Sequence, residues 1–409
     1  MFYIKRNIED VFMRLNEQFP AILVTGPRQV GKTTMLKQMV LREGRSRTYV
    51  SLDDLNERSL AKTDPEMFFQ LHRPPVFIDE IQYAPELFTY IKKYVDENHH
   101  AGDFWITGSQ IFKMMEGVQE SLAGRVALMH LSPLSQQEIS GTSYGAFTLN
   151  IEKLKARHEV NASVTTPEIF ERIFRGGMPA LISGSINDRN VFYSSYLNTY
   201  LERDVRELSG TIDSLKFLYF ITATAARTAG LVNYKGIADD CDIDQLTAKA
   251  WLRILETLGI IFYLHPYSNN VLKRTIKTPK LYFYDTGLVC YLTKWSSAET
   301  AMNGAMNGAL LENYTVSEIV KSYQNAGMPS YLYYYRDKDN KEIDLLMEGD
   351  GTLYPMEIKK TTSPEKRMTD SFTVIEKSPL KRGTGAVLCM AEKLSAFDRE
   401  NLIVPISLI

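Results

Sequence analysis

The amino-terminal part of the chain alternates short apolar runs with polar and amphipathic stretches. Four apolar runs of strand length lie at 21–25, 48–52, 75–78 and 104–107. Apolar residues at helical spacing occur at 8–18 and 35–41. Strand-length runs separated by helical stretches predict an α/β domain at 1–150, with a parallel sheet and flanking helices.

The rest of the chain divides into three further predicted segments. Residues 151–214 are polar and helix-like, and they form a predicted helical lid or connector. Residues 215–300 show three helical patterns followed by two strands, which is the order of a winged helix, with a predicted recognition helix at 244–258. Residues 301–409 contain further strands and predict a second mixed α/β domain.

Composition is that of an ordinary globular protein. The chain has 409 residues, of which 44% are hydrophobic and 23% are charged, and its net charge is −2 at pH 7. A nearly neutral chain is no general binder of polyanions, so any nucleic-acid surface must be local. The three widely spaced cysteines indicate neither disulfides nor a zinc site and favour a cytoplasmic protein. Because no apolar run approaches the roughly 18 residues of a membrane span, we expect no membrane partner.

A glycine-rich loop between the first predicted strand and the next helix carries the strongest chemical signal. Its pattern, G-x-x-x-x-G-K-T, turns backbone N–H groups toward one point at a helix N-terminus. Lys32 adds a charge for the β- and γ-phosphates, and Thr33 offers its hydroxyl to Mg²⁺. The alternative is a chance glycine turn, but the strand, the spacing and the Lys-Thr pair agree with a phosphate-binding loop. The predicted nucleotide-binding residues are Gly26, Pro27, Arg28, Gln29, Val30, Gly31, Lys32, Thr33 and Thr34.

Two carboxylates follow the apolar run at 75–78, in the form of a Walker B motif. Asp79 would hold Mg²⁺, directly or through water, and Glu80 would polarise the attacking water. The alternative is a strand that ends in surface acids, and the phosphate-binding loop upstream favours the catalytic interpretation. The sequence therefore predicts ATP and Mg²⁺ as cofactors.

Two further segments offer polar groups to the nucleotide. In a parallel sheet the strand at 104–107 would place Thr107 or Ser109 beside the γ-phosphate, although Ser109 is equally well interpreted as a helix N-cap. Arg125 is a candidate for stabilising transition-state charge, in cis or from a neighbouring subunit. An exposed arginine in a salt bridge is the commoner situation.

The series of motifs resembles a known family. The segments G-P-R-Q-V-G-K-T-T, F-I-D-E-I-Q, I-T-G-S-Q and S-L-A-G-R-V are similar to those of prokaryotic AAA+-type P-loop ATPases that carry a C-terminal domain of unknown function. The resemblance implies that 107–110 is the sensor-1 region and that Arg125 is an arginine-finger candidate. It supplies no substrate, and oligomerisation is compatible with it.

The resemblance extends into the lid segment. Gly176-Gly177-Met178-Pro179 resembles the G-G-x-P turn of the family, and the stretch at 200–206 resembles its Y-x-x-R-D segment. Three arginines of this region are candidates for facing the nucleotide, namely Arg175, Arg203 and Arg206. Solvated helix charges are the alternative for each of them.

The predicted winged helix has a basic arm. Its two strands, at 260–264 and 280–284, flank a turn at 269–270. The arm carries side chains suited to contacts with DNA phosphates, namely Lys273, Arg274, Lys277 and Lys280. A winged helix that binds protein, with solvated charges, is equally consistent with this pattern.

The C-terminal third resembles the core of the PD-(D/E)XK nucleases. A helix carries Glu312, a strand start carries Asp344, and a later strand carries Glu357 and Lys359 on one face. The resemblance implies that Asp344 and Glu357 bind a divalent metal, with Glu312 joining through water, while Lys359 positions or activates the nucleophile. The alternative is a nuclease-like fold with an ordinary charged strand face.

These observations lead to two expectations for the whole protein. In the first, Mg²⁺-dependent ATP hydrolysis drives DNA engagement and metal-dependent cleavage at Asp344, Glu357 and Lys359. In the second, the protein is a nucleotide-dependent switch or scaffold whose C-terminal domain binds a protein partner without cutting DNA.

Overall fold

The computed structural model describes residues 2–109, 122–160, 164–201, 205, 213–269, 278–337, 339 and 341–409. Several residues with predicted roles lie outside these ranges, namely Gln110, Arg203, Arg206, Lys273, Arg274 and Lys277. Among the helices that the structure describes, none combines the length and the apolar character needed to cross a membrane.

The first sheet is entirely parallel in the described residues and has the strand order β2-β3-β4-β1-β5. Its strands are β1 (Ala21–Thr25), β2 (Thr48–Ser51), β3 (Val76–Asp79), β4 (Phe104–Thr107) and β5 (Val126–His130). Every residue of β1, β3 and β4 is buried, as expected for central parallel strands covered on both faces. The predicted α/β domain with a parallel sheet is confirmed.

Helices cover both faces of this sheet. They are α1 (Glu9–Asn16), α2 (Lys32–Glu43), α3 (Leu55–Thr63), α4 (Pro65–Leu71) and α5 (Leu87–Asn98), with a 3₁₀ turn at Ile81–Tyr83. Asp54 begins α3 as its N-cap by accepting from the backbone N–H of Asn56. Gly44, with φ of 71°, ends α2 in a left-handed conformation that glycine adopts without strain.

A helical region follows the first sheet. It contains α6 (Gln136–Ile139), α7 (Ile151–Val160), α8 (Thr166–Arg175), α9 (Pro179–Ile182), α10 (Arg189–Ser195), a π-helical turn (Tyr196–Leu201), α11 (Ser214–Ala225), α12 (Tyr234–Cys241) and α13 (Gln245–Thr257). Helices α11, α12 and α13 each begin at an Asp or Asn N-cap. The three helices expected between 215 and 258 are therefore present, and α13 coincides with the predicted recognition helix.

The second sheet is mixed, and its main path runs β13-β14-β12-β10-β9-β8-β6-β7, with β11 beside β10. Its strands are β6 (Ile261–Pro266), β7 (Lys280–Phe283), β8 (Leu332–Arg336), β9 (Glu342–Gly349), β10 (Thr352–Lys359), β11 (Lys381–Arg382), β12 (Gly385–Cys389), β13 (Ser395–Ala396) and β14 (Asn401–Pro405). Strand β6 pairs with β7 and also, in parallel, with β8. The β6–β7 arm therefore extends the C-terminal sheet across the boundary predicted at residue 300.

The remaining helices pack this sheet against the rest of the chain. They are α14 (Thr286–Leu292), α15 (Ala298–Asn303) and α16 (Asn307–Asn325), and 3₁₀ turns lie at Lys366–Lys377 and Ile406–Leu408. Most of α16 is buried, and it touches both halves of the molecule. Its Asn313 is hydrogen-bonded to Phe283 in β7, whereas its Glu318 accepts from the backbone N–H of Gln136 in α6 at 2.7 Å.

Candidate functional site

The phosphate-binding loop connects the end of β1 to the start of α2. Gly26 has φ of 138° and Gly31 has φ of 92°, conformations that side-chain-bearing residues rarely adopt. A Cβ atom on Gly26 would lie 2.1 Å from the carbonyl oxygen of Leu131. Only glycine at this position lets the loop pass so close to the chain that follows β5.

Lys32 and Thr33 stand in the first turn of α2. The ammonium of Lys32 is buried and donates to the carbonyl oxygens of Gly26, at 2.9 Å, and Pro27, at 2.8 Å. The hydroxyl of Thr33 donates to Asp79 Oδ1 at 2.9 Å. The lysine, hydroxyl and carboxylate that the sequence predicted to act together therefore meet at one helix N-terminus.

Asp79 ends β3 and is 4% exposed. Besides the Thr33 hydroxyl, its carboxylate accepts from the hydroxyls of Tyr49, at 3.1 Å, and Thr107. Burial, followed by the Asp79 charge, raises the pKa of Tyr49 to about 12, so this hydroxyl stays a donor near neutral pH. The sequence analysis missed Tyr49, because only the pairing of β2 with β3 brings it to Asp79.

Glu80 follows Asp79 in a left-handed conformation, with φ of 60°. Its backbone N–H donates to the Thr107 hydroxyl at 3.2 Å, and its carboxylate accepts from the side-chain amide of Gln82. The same amide nitrogen is 3.3 Å from Ser109 Oγ. Thr107 and Ser109 thus lie at the sheet edge that carries the Walker B acids, and Gln82, to which no role was assigned from the sequence, links Ser109 to Glu80.

A cavity of about 510 Å³ opens over the loop. Residues Arg28 to Thr34 and Glu80 line it, while the carbonyls of Gly26 and Pro27 hold Lys32 at its edge. Its other walls are formed by Phe2 to Ile4 and by Pro179, Ala180 and Ser183 of the lid. The wall formed by Phe2 to Ile4 was not predicted, because no sequence pattern marks an apolar residue at position 2 or 4 as part of a binding site.

Arg6 stabilises the phosphate-binding loop through hydrogen bonds, and the sequence did not indicate this role. Its guanidinium donates to the carbonyl oxygens of Val30, at 2.8 Å, and Ser132, at 2.7 Å, and it pairs with Glu138 at 2.9 Å. Although burial opposes the shift, the charge of Arg6 lowers the pKa of Glu138. This buried pair ties the N-terminal segment, the phosphate-binding loop and α6 together.

The two described arginines with predicted nucleotide contacts have other partners. Arg125 pairs with Asp96 of α5 and is not among the residues that line the cavity. Arg175 donates to the carbonyl oxygens of Leu181, at 3.1 Å, and Ile182, at 3.3 Å, so it caps the lid helix α9. In this conformation neither guanidinium faces the phosphate-binding loop, and action of Arg125 from a neighbouring subunit stays a prediction.

The C-terminal residues predicted as a nuclease-like site do converge. The ammonium of Lys359 lies 2.6 Å from Glu357 Oε1 and 3.3 Å from Asp344 Oδ2. Burial, then the charge of Asp344, raises the pKa values of both Glu357 and Glu312 to about 7. The three carboxylates therefore share one environment beside the second sheet.

A second lysine lies in the same place and corrects one prediction. Lys280, assigned to the basic arm, has a side chain only 5% exposed, and its ammonium lies 2.6 Å from Glu342 Oε1 and 3.0 Å from Glu312 Oε1. Burial opposes the shift, but the neighbouring carboxylates raise the pKa of Lys280 above its ordinary value. It is therefore an internal ion-pair partner and is unavailable to DNA phosphates.

The two predicted metal sites differ in how well they suit a divalent cation. At the phosphate-binding loop, the Thr33 hydroxyl and the Asp79 carboxylate are the hard oxygen donors that Mg²⁺ prefers. At the C-terminal cluster, Lys280 lies among the oxygen atoms. Over the described ranges, no three His, Cys, Asp or Glu residues are arranged to hold a metal ion.

Comparison with family models gives three adjacent matches. Residues 18–140 match the model described as "AAA domain". Residues 166–299 and 307–409 match two models described as domains of unknown function, DUF8612 and DUF4143. Relatives in Mycobacterium bovis and Mycobacterium tuberculosis, both called uncharacterized proteins, are each 28% identical over 365 residues, which cover 89% of this chain and 76% of theirs.

Solved structures show more distant similarity. The Walker-type ATPase PABY2304 of Pyrococcus abyssi is 16% identical with a TM-score of 0.43, and the match covers 71% of this chain and 96% of that one. The RuvB Holliday junction branch migration motor of Thermotoga maritima is 17% identical with a TM-score of 0.30, covering 63% and 85%. The family match over residues 18–140 and the parallel sheet with its phosphate-binding loop both support an AAA-type P-loop ATPase domain in the amino-terminal part of this chain.

Proposed function

We propose that the protein hydrolyses ATP with Mg²⁺ at the phosphate-binding loop and that the nucleotide state is passed to the C-terminal domain. The observation that carries the proposal is the 2.9 Å hydrogen bond from Thr33, which lines the cavity, to Asp79 at the end of β3, because it joins the phosphate-binding loop to the Walker B motif. This arrangement is the one that P-loop ATPases use to hold Mg²⁺ and phosphate.

Binding begins with an exchange of partners at Lys32. The ammonium leaves the carbonyl oxygens of Gly26 and Pro27 for phosphate oxygens, which carry more charge and so make the stronger hydrogen bonds. Backbone N–H groups of the loop and the N-terminus of α2 bind the same anion. Thr33 and Asp79 would hold Mg²⁺, which would supply positive charge to neutralise the phosphates.

Hydrolysis then depends on Glu80. Its carboxylate lines the cavity and orients the attacking water, while Gln82 holds the carboxylate beside Ser109. Thr107 fixes Asp79 through its hydroxyl and also accepts the Glu80 backbone N–H. Thr107 and Gln82 thus contact Asp79 and Glu80 at one edge of the sheet. Loss of the γ-phosphate would therefore affect both of these acids.

A series of hydrogen bonds connects the phosphate-binding loop to α16, and it supports the proposed transmission of the nucleotide state. Arg6 joins Val30 of the loop to Ser132, and the Ser132 hydroxyl donates to Gln324 of α16 at 2.6 Å. The other end of α16 holds β7 through Asn313. Such a rigid helix contacting both regions supports the proposal that the protein is a nucleotide-dependent switch.

The matched pair Glu80→Gln and Glu86→Gln tests the proposed hydrolysis. Glu86 is exposed at the start of α5 and provides the same chemical change away from the cavity. Glu80→Gln should bind ATP normally but release phosphate at least about 100-fold more slowly, because the water loses its orienting group. Normal turnover by Glu80→Gln, or an equal loss in Glu86→Gln, would remove the role given to Glu80.

DNA engagement is a second candidate function, and it depends on Lys273 and Arg274 of the predicted basic arm, which lie outside the described residues. Binding through Lys273 and Arg274 would neutralise phosphates and make affinity fall steeply with salt. A Lys273→Ala/Arg274→Ala variant should then show a shallower salt dependence in a duplex-binding titration. If the protein does not bind DNA at all, the result favours the alternative in which the C-terminal domain binds a protein partner.

A further inference from the structure

We propose that Lys280 is a built-in cation that occupies the centre of the C-terminal carboxylate cluster, so that the cluster excludes divalent metal while β7 is in place. A PD-(D/E)XK-like site would use Glu312, Asp344 and Glu357 as metal ligands. In this chain two of those three carboxylates, Glu312 and Asp344, face the ammonium of Lys280 instead.

The contacts of Lys280 are those of an enclosed ion. Its ammonium lies 2.6 Å from Glu342, 3.0 Å from Glu312 and 3.9 Å from Asp344 Oδ1. A buried ammonium surrounded by carboxylates on several sides is compensated in the same way that a bound cation would be. The three oxygen atoms therefore already share one positive charge.

The position of Lys280 in β7 places its ammonium in the carboxylate cluster. Lys280 begins β7, where it pairs with Leu264 of β6, and Tyr282 two residues later lies on the same face and donates to Glu312 at 2.7 Å. Asn313 of α16 clamps the end of β7 by bonding both the N–H and the carbonyl of Phe283. Lys280 thus lies on a strand that is paired with β6 and held at its last residue by Asn313, so its position is set by the fold.

The remaining carboxylate oxygens are also largely engaged. Asp344 Oδ2 accepts from the backbone N–H of Ile358 at 2.9 Å and lies 3.3 Å from Lys359. Glu357 Oε1 is paired with Lys359, whereas its Oε2 is buried without a hydrogen-bond partner among the described residues. A divalent ion that bridged Glu312 and Asp344 would therefore have to displace the ammonium of Lys280.

Counting bound Mn²⁺ by electron paramagnetic resonance tests the proposal. The full chain is used without nucleotide and with Asp79→Asn, so that the phosphate-binding loop adds no metal site. In this background the cluster should bind Mn²⁺ at least about 100-fold more weakly than it does once Lys280→Met is added, when one Mn²⁺ per chain should bind, because the unit charge of the lysine is removed from among the carboxylates. Lys366→Met, which removes an exposed lysine paired with Asp398 in the same domain, should create no such site.

Thermal unfolding supplies the second readout. Lys280→Met should unfold at a lower temperature in chelator and recover with Mn²⁺, whereas the parent should not respond. If Lys280→Met does not fold even with Mn²⁺, Lys280→Arg keeps the charge and should fold without binding Mn²⁺. Mn²⁺ bound by the parent as tightly as by Lys280→Met, Mn²⁺ bound by neither, or Mn²⁺ bound by Lys280→Arg would overturn the proposal.

Discussion

The contact between α13 and the phosphate-binding loop gives a prediction with a built-in control. Gly259 lies just after α13 with φ of 69°, and a Cβ atom there would be 2.9 Å from His130 Cε1 and 3.0 Å from Pro27 Cδ. Gly44, just after α2, has a similar φ of 71° but nothing within 4 Å of its Cβ position. The two glycines therefore share the backbone strain and differ in packing.

The structure sets the expected size of each effect. Alanine in the left-handed region costs about 1–2 kcal/mol, which is the whole loss expected for Gly44→Ala. Gly259→Ala adds overpacking against Pro27 and His130, typically another 1–3 kcal/mol, because neither neighbour is the end of a long flexible side chain. The free energy of unfolding should thus fall by about 2–5 kcal/mol in Gly259→Ala.

Urea unfolding and ATP titration of both variants measure these effects. Since the clash displaces Pro27 of the loop, we expect ATP affinity to fall about tenfold in Gly259→Ala, equivalent to about 1.4 kcal/mol, and to stay unchanged in Gly44→Ala. Equal losses of stability in the two variants, together with equal ATP affinity, would refute the packing of α13 against the nucleotide site.

Two further predictions concern the support of the same loop. Arg6→Met leaves Glu138 buried without its partner, so the free energy of unfolding should drop by about 3–5 kcal/mol in urea titrations, and a loss below about 1 kcal/mol would contradict the bracing role. Burial, then the Lys32 charge, lowers the pKa of His130 to about 4, so the folded protein binds its proton less tightly than the unfolded chain does. This contribution to stability is present above pH 6.5 and is lost as pH falls toward 4, by up to about 3 kcal/mol. His130→Asn should lose less stability over that window, and an unchanged pH profile would count against a neutral buried imidazole.

The sequence was most informative where local chemistry determines structure. A short apolar run such as 21–25 is typical of a central strand covered on both faces, and the glycine spacing with Lys32 and Thr33 is typical of a phosphate-binding loop. For the same reason Asp79 and Glu80 were found at a strand end, and Glu357 and Lys359 were placed on one strand face. Each of these predictions needed only neighbours within about ten residues.

Arg6, which was missed, and Lys280, which was assigned to the wrong role, both depend on contacts that no local sequence pattern indicates. Arg6 reaches Glu138 across 132 positions, and Lys280 reaches Glu312 across 32, so their partners are set only when the sheets assemble. Lys280 looked like part of a basic surface because three other basic residues precede it in the arm. Its burial follows from the pairing of β6 with β8, which joins the arm to the C-terminal sheet.

The central claim is that a triphosphate is bound by Lys32 and the surrounding loop amides. Isothermal calorimetry of ATP with Mg²⁺ tests it most directly, with Lys32→Ala compared to Lys62→Ala at an exposed position of α3. We expect one ATP bound per chain in the unaltered protein and in Lys62→Ala, and no measurable binding in Lys32→Ala. Undiminished ATP binding by Lys32→Ala, or no binding by the unaltered protein, would contradict the account.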